Sequence, residues 1–280
     1  MKVRIDGVHK SFRKDKHQQL EVLRDVSIQI KDGEFVSLLG PSGCGKSTIL
    51  NLVAGLDSPS EGSITVDGKQ VNGPGTDRVV VFQQGGLFPW MSVVDNVKYG
   101  LRLKKISAKE VDERADDVLK MVHLSKFKGH FPNELSGGMQ QRVAIARALI
   151  MDLEILLMDE PFAALDEQTR IIMHQELQEI WQKTGKTILF ITHNIREALT
   201  LSDRVLLMST RPGQIKKTFT VQAGRPRDPS DSVLVHIEKQ VMKELEEEME
   251  KVLKEELGDD YRFKTSAFRD RNRDHMGDHI

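Results

Sequence analysis

Phe35-Val36-Ser37-Leu38-Leu39 is an apolar run of strand length that stops at Gly40-Pro41-Ser42-Gly43-Cys44-Gly45-Lys46-Ser47-Thr48. A helical pattern begins at Lys46 and runs through Leu50, Leu52 and Val53. Buried strand, glycine-rich turn and helix in that order predict an α/β fold with the turn at the carboxyl end of a strand. The turn fits G-x-x-x-x-G-K-[ST] in full. Glycines let backbone N–H groups converge on an anion, and the helix start adds partial positive charge. A turn that merely joined strand to helix would not require Lys-Ser-Thr. The pattern therefore predicts a cradle for the phosphates of ATP, with Lys46 on the β- and γ-phosphates and Ser47 on Mg2+. Cys44 reads as a small loop residue, with a thiol activated by the helix end as the alternative.

A second apolar run, Ile155-Leu156-Leu157-Met158, ends in Asp159-Glu160-Pro161. Such a strand delivers both carboxylates to the sheet edge that holds the phosphate loop. Asp159 can hold the Mg2+ shell while Glu160 orients or deprotonates the attacking water. Taken alone, acids after a strand are common helix caps; the loop upstream turns the reading toward hydrolysis.

The β signal appears first around Val3 to Ile5 and Val26 to Ile30, then in GSITVDGKQV and RVVVFQ, and again in EILLM and TILFIT. A helical stretch from about 92 to 151 interrupts it, as in DERADDVLKMVHL. The expected organisation is a core over residues 1–222 with a helical insertion, then an appendage over 223–280. Within the appendage GRPRDPSD reads as a linker. An amphipathic helix follows, with Leu234, Ile237, Val241, Leu245, Met249, Leu253 and Leu257 near one face, and then a polar charged end. The helix either packs on the core with one solvated acidic face or serves regulation, ligand sensing or dimer bracing.

Acidic and basic residues nearly cancel over the 280 residues, leaving a formal net charge of -1. Without a global basic field no nucleic-acid partner is expected. The single cysteine, Cys44, suits a reducing compartment. The amino end, MKVRIDGVHKSF, carries no export-signal succession, and runs such as Val79 to Phe82 fall far short of the ~20 residues that cross a bilayer. Membrane contact is therefore expected through a partner, at the cytoplasmic face.

Leu135-Ser136-Gly137-Gly138-Met139-Gln140-Gln141-Arg142 resembles the signature sequence of the ABC ATPase family. Locally it is an anion site or an ordinary N-capped helix, with Ser136 as cap and the backbone of Gly137 and Gly138 behind it. The resemblance spans about residues 1 to 225. It implies a P-loop NTPase core of the RecA-like type with a mainly parallel sheet, an antiparallel β subdomain, a helical signature subdomain and the carboxyl-terminal amphipathic helix. It also implies residue roles. Phe12 is similar to the aromatic that stacks on adenine, against the blander reading of a core residue. Gln83 matches the glutamine that links Mg2+ and the attacking water to a transmembrane partner, with Gln84 the neighbouring alternative. Asp166 in AALD matches the loop that crosses between two nucleotide sites, and His193 the histidine that contacts the γ-phosphate. With one phosphate loop and one signature per chain, the resemblance implies a homodimer, or a heterodimer with a similar subunit, holding two composite sites.

The stretch Asn72 to Val79, then Leu87-Phe88-Pro89-Trp90 and Gly224 to Asp228, is similar to the nitrate, sulfonate and taurine importer branch. That resemblance implies an ATP-driven motor for an integral permease fed by an extracytoplasmic solute-binding protein. Trp90 is either a contact for the permease or part of the helical insertion's own core.

Overall fold

The structure is a computed structural model and describes residues 1–15, 18–83, 85–104, 106–228 and 230–257. In chain order the strands are β1 (Val3–Asp15), β2 (Gln18–Ile30), β3 (Phe35–Leu39), β4 (Glu61–Val66), β5 (Lys69–Gln70), β6 (Arg78–Val81), β7 (Ile155–Asp159), β8 (Thr187–Ile191), β9 (Arg204–Met208) and β10 (Ile215–Thr220). The helices are α1 (Lys46–Ala54), α2 (Val93–Arg102), α3 (Ala108–Met121), α4 (Gly137–Leu149), α5 (Glu167–Thr184), α6 (Ile195–Leu201) and α7 (Ser232–Leu257). Gln84 and the charged end after Leu257, both singled out in the sequence, lie outside the described residues.

The strands form two sheets. One is antiparallel in the order β2-β1-β4-β5; the other has the order β10-β9-β3-β8-β7-β6 and is parallel except for the β10 edge. β3 and β8 are buried at every residue, which is why their sequences are unbroken apolar runs rather than alternating ones. β1 and β2 are longer than the short β signals at Val3 and Val26 suggested: the hairpin extends to Asp15 and Gln18. Its outer part is exposed on both faces, at Phe12 and Arg13 and at Gln19 and Leu20, and carries repeated register shifts, so no apolar alternation marks it in the sequence.

α1 packs Ile49, Leu50, Leu52 and Val53 between the two sheets. The helical insertion is α2, α3 and α4 with two short 3-10 turns at Ser125–Phe127 and Pro132–Glu134. Ser92 and Ser107 cap α2 and α3 by accepting from the N–H groups of Asp95 and Glu110. Val143, Ile145, Ala146 and Leu149 of α4 share a core with Val97 and Leu101 of α2 and with Leu156 and Met158 of β7. The insertion is thereby welded to the sheet edge that carries the acids.

The stretch read as a linker is bonded to the core. Arg227 is buried and donates to the carbonyls of Leu199, Ser202 and Val221, while Arg225 donates to Leu201 O and Asp203 and stacks 4.2 Å over the Trp181 ring. Cations at the carboxyl end of α6 satisfy carbonyls that the helix leaves free. Burial, with Arg225 beside it, pulls the Arg227 guanidinium down to about 10, so it stays charged at neutral pH. α7 then packs Leu234 and Val241 against Ile195, Leu199 and Phe219. Leu257, expected on the same apolar face, is exposed.

Candidate nucleotide site

The phosphate loop sits at the carboxyl end of β3 and wraps the start of α1, as the sequence predicts. Gly45 precedes α1 at φ +95°, and a Cβ there would lie 2.5 Å from Leu23 Cδ2. Only glycine lets β2 come this close. Lys46 is buried, and its Nζ donates to the carbonyls of Gly40 at 2.8 Å and Pro41 at 2.9 Å, arching over the loop. Ser42, Gly43 and Ser47 are exposed along the loop's outer side, and Thr48 is half-buried. Cys44 is buried, and burial raises its thiol pKa despite the nearby Lys46. It is a packed loop residue rather than an activated thiol.

β7 and β8 pair in parallel with Asp159 opposite Ile191, so Asp159, Glu160 and His193 leave the sheet at one edge. Asp159 lies beside Ser47 and Lys46 of the loop, both of which act on its carboxyl. Burial holds its carboxyl above the ordinary range, and the neighbouring Glu160 adds to that, while Ser47 and Lys46 pull the other way. Glu160 adopts φ +44°, uncommon for a residue with a side chain, and is held by its N–H bond to Ile191 O at 3.0 Å. Its Oε2 accepts from Gln83 Nε2 at 3.3 Å and lies 3.1 Å from His193 Nδ1. Three residues from three different strand ends, 77 and 33 positions away along the chain from the central acid, meet at one carboxylate.

The loop bearing Gln83 is braced by α4. Gln141 donates to Phe82 O, and Arg147 donates to the carbonyls of Gly85 and Gly86 at 3.0 Å each. Beyond it Trp90 is 70% exposed, which excludes its packing in the insertion's own core. Ser136 caps α4 by accepting from Met139 N–H, and Gly138 is where α4 meets Ala164 and Leu165. Gly137 has open space at its Cα. Asp166 caps α5, accepting from Thr169 N–H and hydroxyl, and those bonds hold its carboxyl below the usual range. The signature and Asp166 are thus neighbours through the Gly138–Leu165 contact, while their bonds are made away from the loop of Gly40 to Thr48.

Phe12 is 41% exposed, with the Lys10 ammonium 4.8 Å from its ring, which sets aside the core reading. Lys10 pairs with Leu23, the residue pressed on Gly45. Phe12 therefore stands ~7 Å further along the hairpin from the phosphate loop's neighbour.

Two features had no local signal. α7 passes beside the phosphate loop: a cleft of about 710 Å3 is bounded by Gly40, Pro41, Ser42 and His193 on one side and by Met242, Leu245, Met249 and Leu253 on the other. Glu248, expected on a solvated acidic face, is fully buried, accepting from Thr210 N–H and pairing with Lys216 and Lys251. Nothing in the EEEME run distinguishes it from Glu247, which is exposed, or from the half-buried Glu246 and Glu250.

A phosphate-binding loop, a carboxylate pair and a convergent glutamine and histidine on one sheet edge define a nucleotide-hydrolysing class of protein. The ABC transporter family profile matches residues 23–163. An ABC transporter ATP-binding protein of Methanocaldococcus jannaschii is 47% identical over 254 residues, 91% of this chain and 95% of that protein. The taurine import ATP-binding protein of Ruegeria pomeroyi is 47% identical, covering 77% and 80%. The nitrate import ATP-binding protein of Synechocystis is 50% identical, covering 74% and 77%. The dimeric post-hydrolysis structure of an ATP-binding cassette bound to ADP and phosphate superposes with a TM-score of 0.73 at 36% identity, covering 79% of this chain and all of that one. This chain belongs to the ATP-binding subunits of the ABC transporter family, which are ATPases coupled to transport. Among the described residues no helix is long and apolar enough to cross a membrane.

Proposed function

We propose that this chain is the motor of an importer for a small anion of the nitrate, sulfonate or taurine kind. It would work at the cytoplasmic face through a separate integral permease. What supports the hydrolytic half is the meeting of Gln83 and His193 at the Glu160 carboxylate. Glu160 orients and deprotonates the attacking water, His193 holds the γ-phosphate end, and Gln83 reports occupancy to the surface around Trp90. Lys46 and the backbone of Gly40 to Thr48 bind the phosphates, and Phe12 stacks the adenine. The Ser47 hydroxyl, the Asp159 carboxylate and the Gln83 amide oxygen form an all-oxygen donor set, which suits Mg2+. When bound, that ion neutralises phosphate charge.

In a dimer, Ser136, Gly137 and Gly138 of one copy complete the other copy's site, with Asp166 crossing between them. The relatives named for taurine and nitrate import and the exposed Trp90 support the transport half. We place residues 1–222 as the ATPase, with 92–151 as its helical part and 223–280 as the appendage, although Arg225 and Arg227 bind the appendage firmly.

The test is Glu160→Gln, which keeps size but removes the base. Turnover should fall about 10^2–10^4-fold, with ATP binding retained. The ATP-trapped variant, purified from detergent-solubilised native membranes, should bring an integral permease with it. Ordinary turnover would remove Glu160 as the base; recovery of soluble or nucleic-acid partners alone would overturn the transport reading.

A further inference from the structure

His174 is in the middle of α5, on a polar sequence (RIIMHQELQE) with no motif around it, yet its side chain is only 14% exposed. Its Nε2 lies 2.8 Å from Oε1 of Glu197, whose side chain is 6% exposed on α6. A carboxylate buried to that degree is costly without a partner, and the imidazole supplies one across two helices that are separate in sequence. The histidine ring also stands edge-on to Phe162, with centroids 5.1 Å apart.

These contacts close a ring around the hydrolytic acid. Phe162 is two residues after Glu160, on the turn that begins with the strained Glu160 backbone. Glu197 is four residues after His193. Between them the chain is pinned: Asn194 accepts from Glu197 N–H at 3.1 Å and donates its own N–H to Thr192 Oγ1 at 3.0 Å. Glu160 N–H in turn holds Ile191 O. The loops that carry Glu160 and His193 leave neighbouring strands β7 and β8, and His174 touches Phe162 of the first loop and Glu197 in the first turn of α6, the helix that follows the second. Its helix α5 begins at Asp166, next to the Leu165 contact with Gly138.

We propose that His174 and Glu197 are a positioning pair that sets the approach of His193 to Glu160. Neither touches nucleotide; they act through the loop between Thr192 and Glu197. The inference rests on the roles proposed above for Glu160 and His193. A pair that merely stabilised the fold would lower melting temperature and active fraction without distinguishing the backgrounds below.

The experiment measures kcat, KM for MgATP and Tm on the full chain for His174→Leu and His174→Gln, each made alone and in a His193→Ala background. His174→Leu should lower kcat about tenfold with KM within about twofold, because misplacement of a reacting group costs rate rather than ground-state binding. His174→Gln, which keeps a side-chain donor, should recover most of that rate. In the His193→Ala background, His174→Leu should change the residual turnover less than about twofold, since the group it positions is gone. An equal factor in both backgrounds, or an unchanged kcat with only a lower Tm, overturns the inference. Should His174→Leu not fold, His174→Asn, whose amide is too short to span to Glu197, replaces it with the same expected and contrary results. Ordinary turnover in both Glu160→Gln and His193→Ala would instead sink the hydrolytic assignment itself, which separates the two failures.

Discussion

Replacing Gly45 by alanine tests whether the phosphate loop is held by packing from β2 as well as by its own conformation. At φ +95° an L-residue at this position carries a backbone cost of about 1–2 kcal/mol. The added Cβ would also stand 2.5 Å from Leu23 Cδ2 and 3.3 Å from Val22 Cγ1. Leu23 is wholly buried, and Gly213 of the turn between β9 and β10 abuts it as well, so relief requires the hairpin to shift. Overpacking of this kind costs about 1–3 kcal/mol, for a total of about 2–5 kcal/mol. Gly43→Ala is the control: φ is +77° but no atom lies within 4 Å of its Cβ, so it carries the backbone cost alone. Urea unfolding should show a lower midpoint for Gly45→Ala than for Gly43→Ala at unchanged slope, a gap of about 1–3 kcal/mol. Adding Leu23→Ala to Gly45→Ala should destabilise by less than the sum of the two single changes, because the vacated space accepts the new methyl. Equal losses for the two glycines, or strict additivity with Leu23→Ala, would refute the packing argument.

Lys46→Ala should weaken ATP binding itself rather than turnover alone, read by nucleotide titration; unchanged affinity would remove Lys46 from the phosphate site. Cys44 should resist a maleimide at pH 7 in the folded chain and react once urea unfolds it, because burial raises its pKa and shields it; labelling of the native chain at the rate of a free thiol would contradict this. Burial works to raise the Glu248 carboxyl, but Lys251, Lys216 and the Thr210 N–H outweigh it and hold it below its ordinary value near 4.5. Its stabilisation is therefore present above about pH 4.5 and lost as pH falls through the lower folded value. Glu248→Ala should cost about 3 kcal/mol at pH 7 and progressively less toward acid, read as Tm against pH; a pH-independent difference would exclude the ion cluster as the cause.

The local structure of the candidate site was legible wherever it depends on consecutive residues. A buried strand, a glycine turn and Lys-Ser-Thr specify the phosphate loop locally, since backbone geometry and helix start supply the donors within nine positions. The same holds for Asp159 and Glu160 at the end of an apolar strand and for Ser136 as the cap of α4. Gln83 and His193 carry weaker local signals, and their roles are implied only by the resemblance. Their meeting at Glu160 depends on the β6-β7-β8 order and on the register that sets Asp159 opposite Ile191.

What only the tertiary structure decided are the contacts that join distant segments at short range. The period of α7 showed an apolar stripe but not that part of it would face Gly40 to Ser42 across a cleft, nor that Glu248 would be its buried acid. GRPRDPSD reads as a linker because proline, glycine and charge favour turns, and its Arg225 and Arg227 make a clasp because the end of α6 presents free carbonyls to the two guanidinium groups. His174 and Glu197 look like surface residues of two helices until those helices pack. Sequence determines local conformation and donor chemistry over a few residues; which side chains lose their water is set by the packing of elements far apart in the chain, and that packing fixes the partners of Glu248, Arg227 and His174.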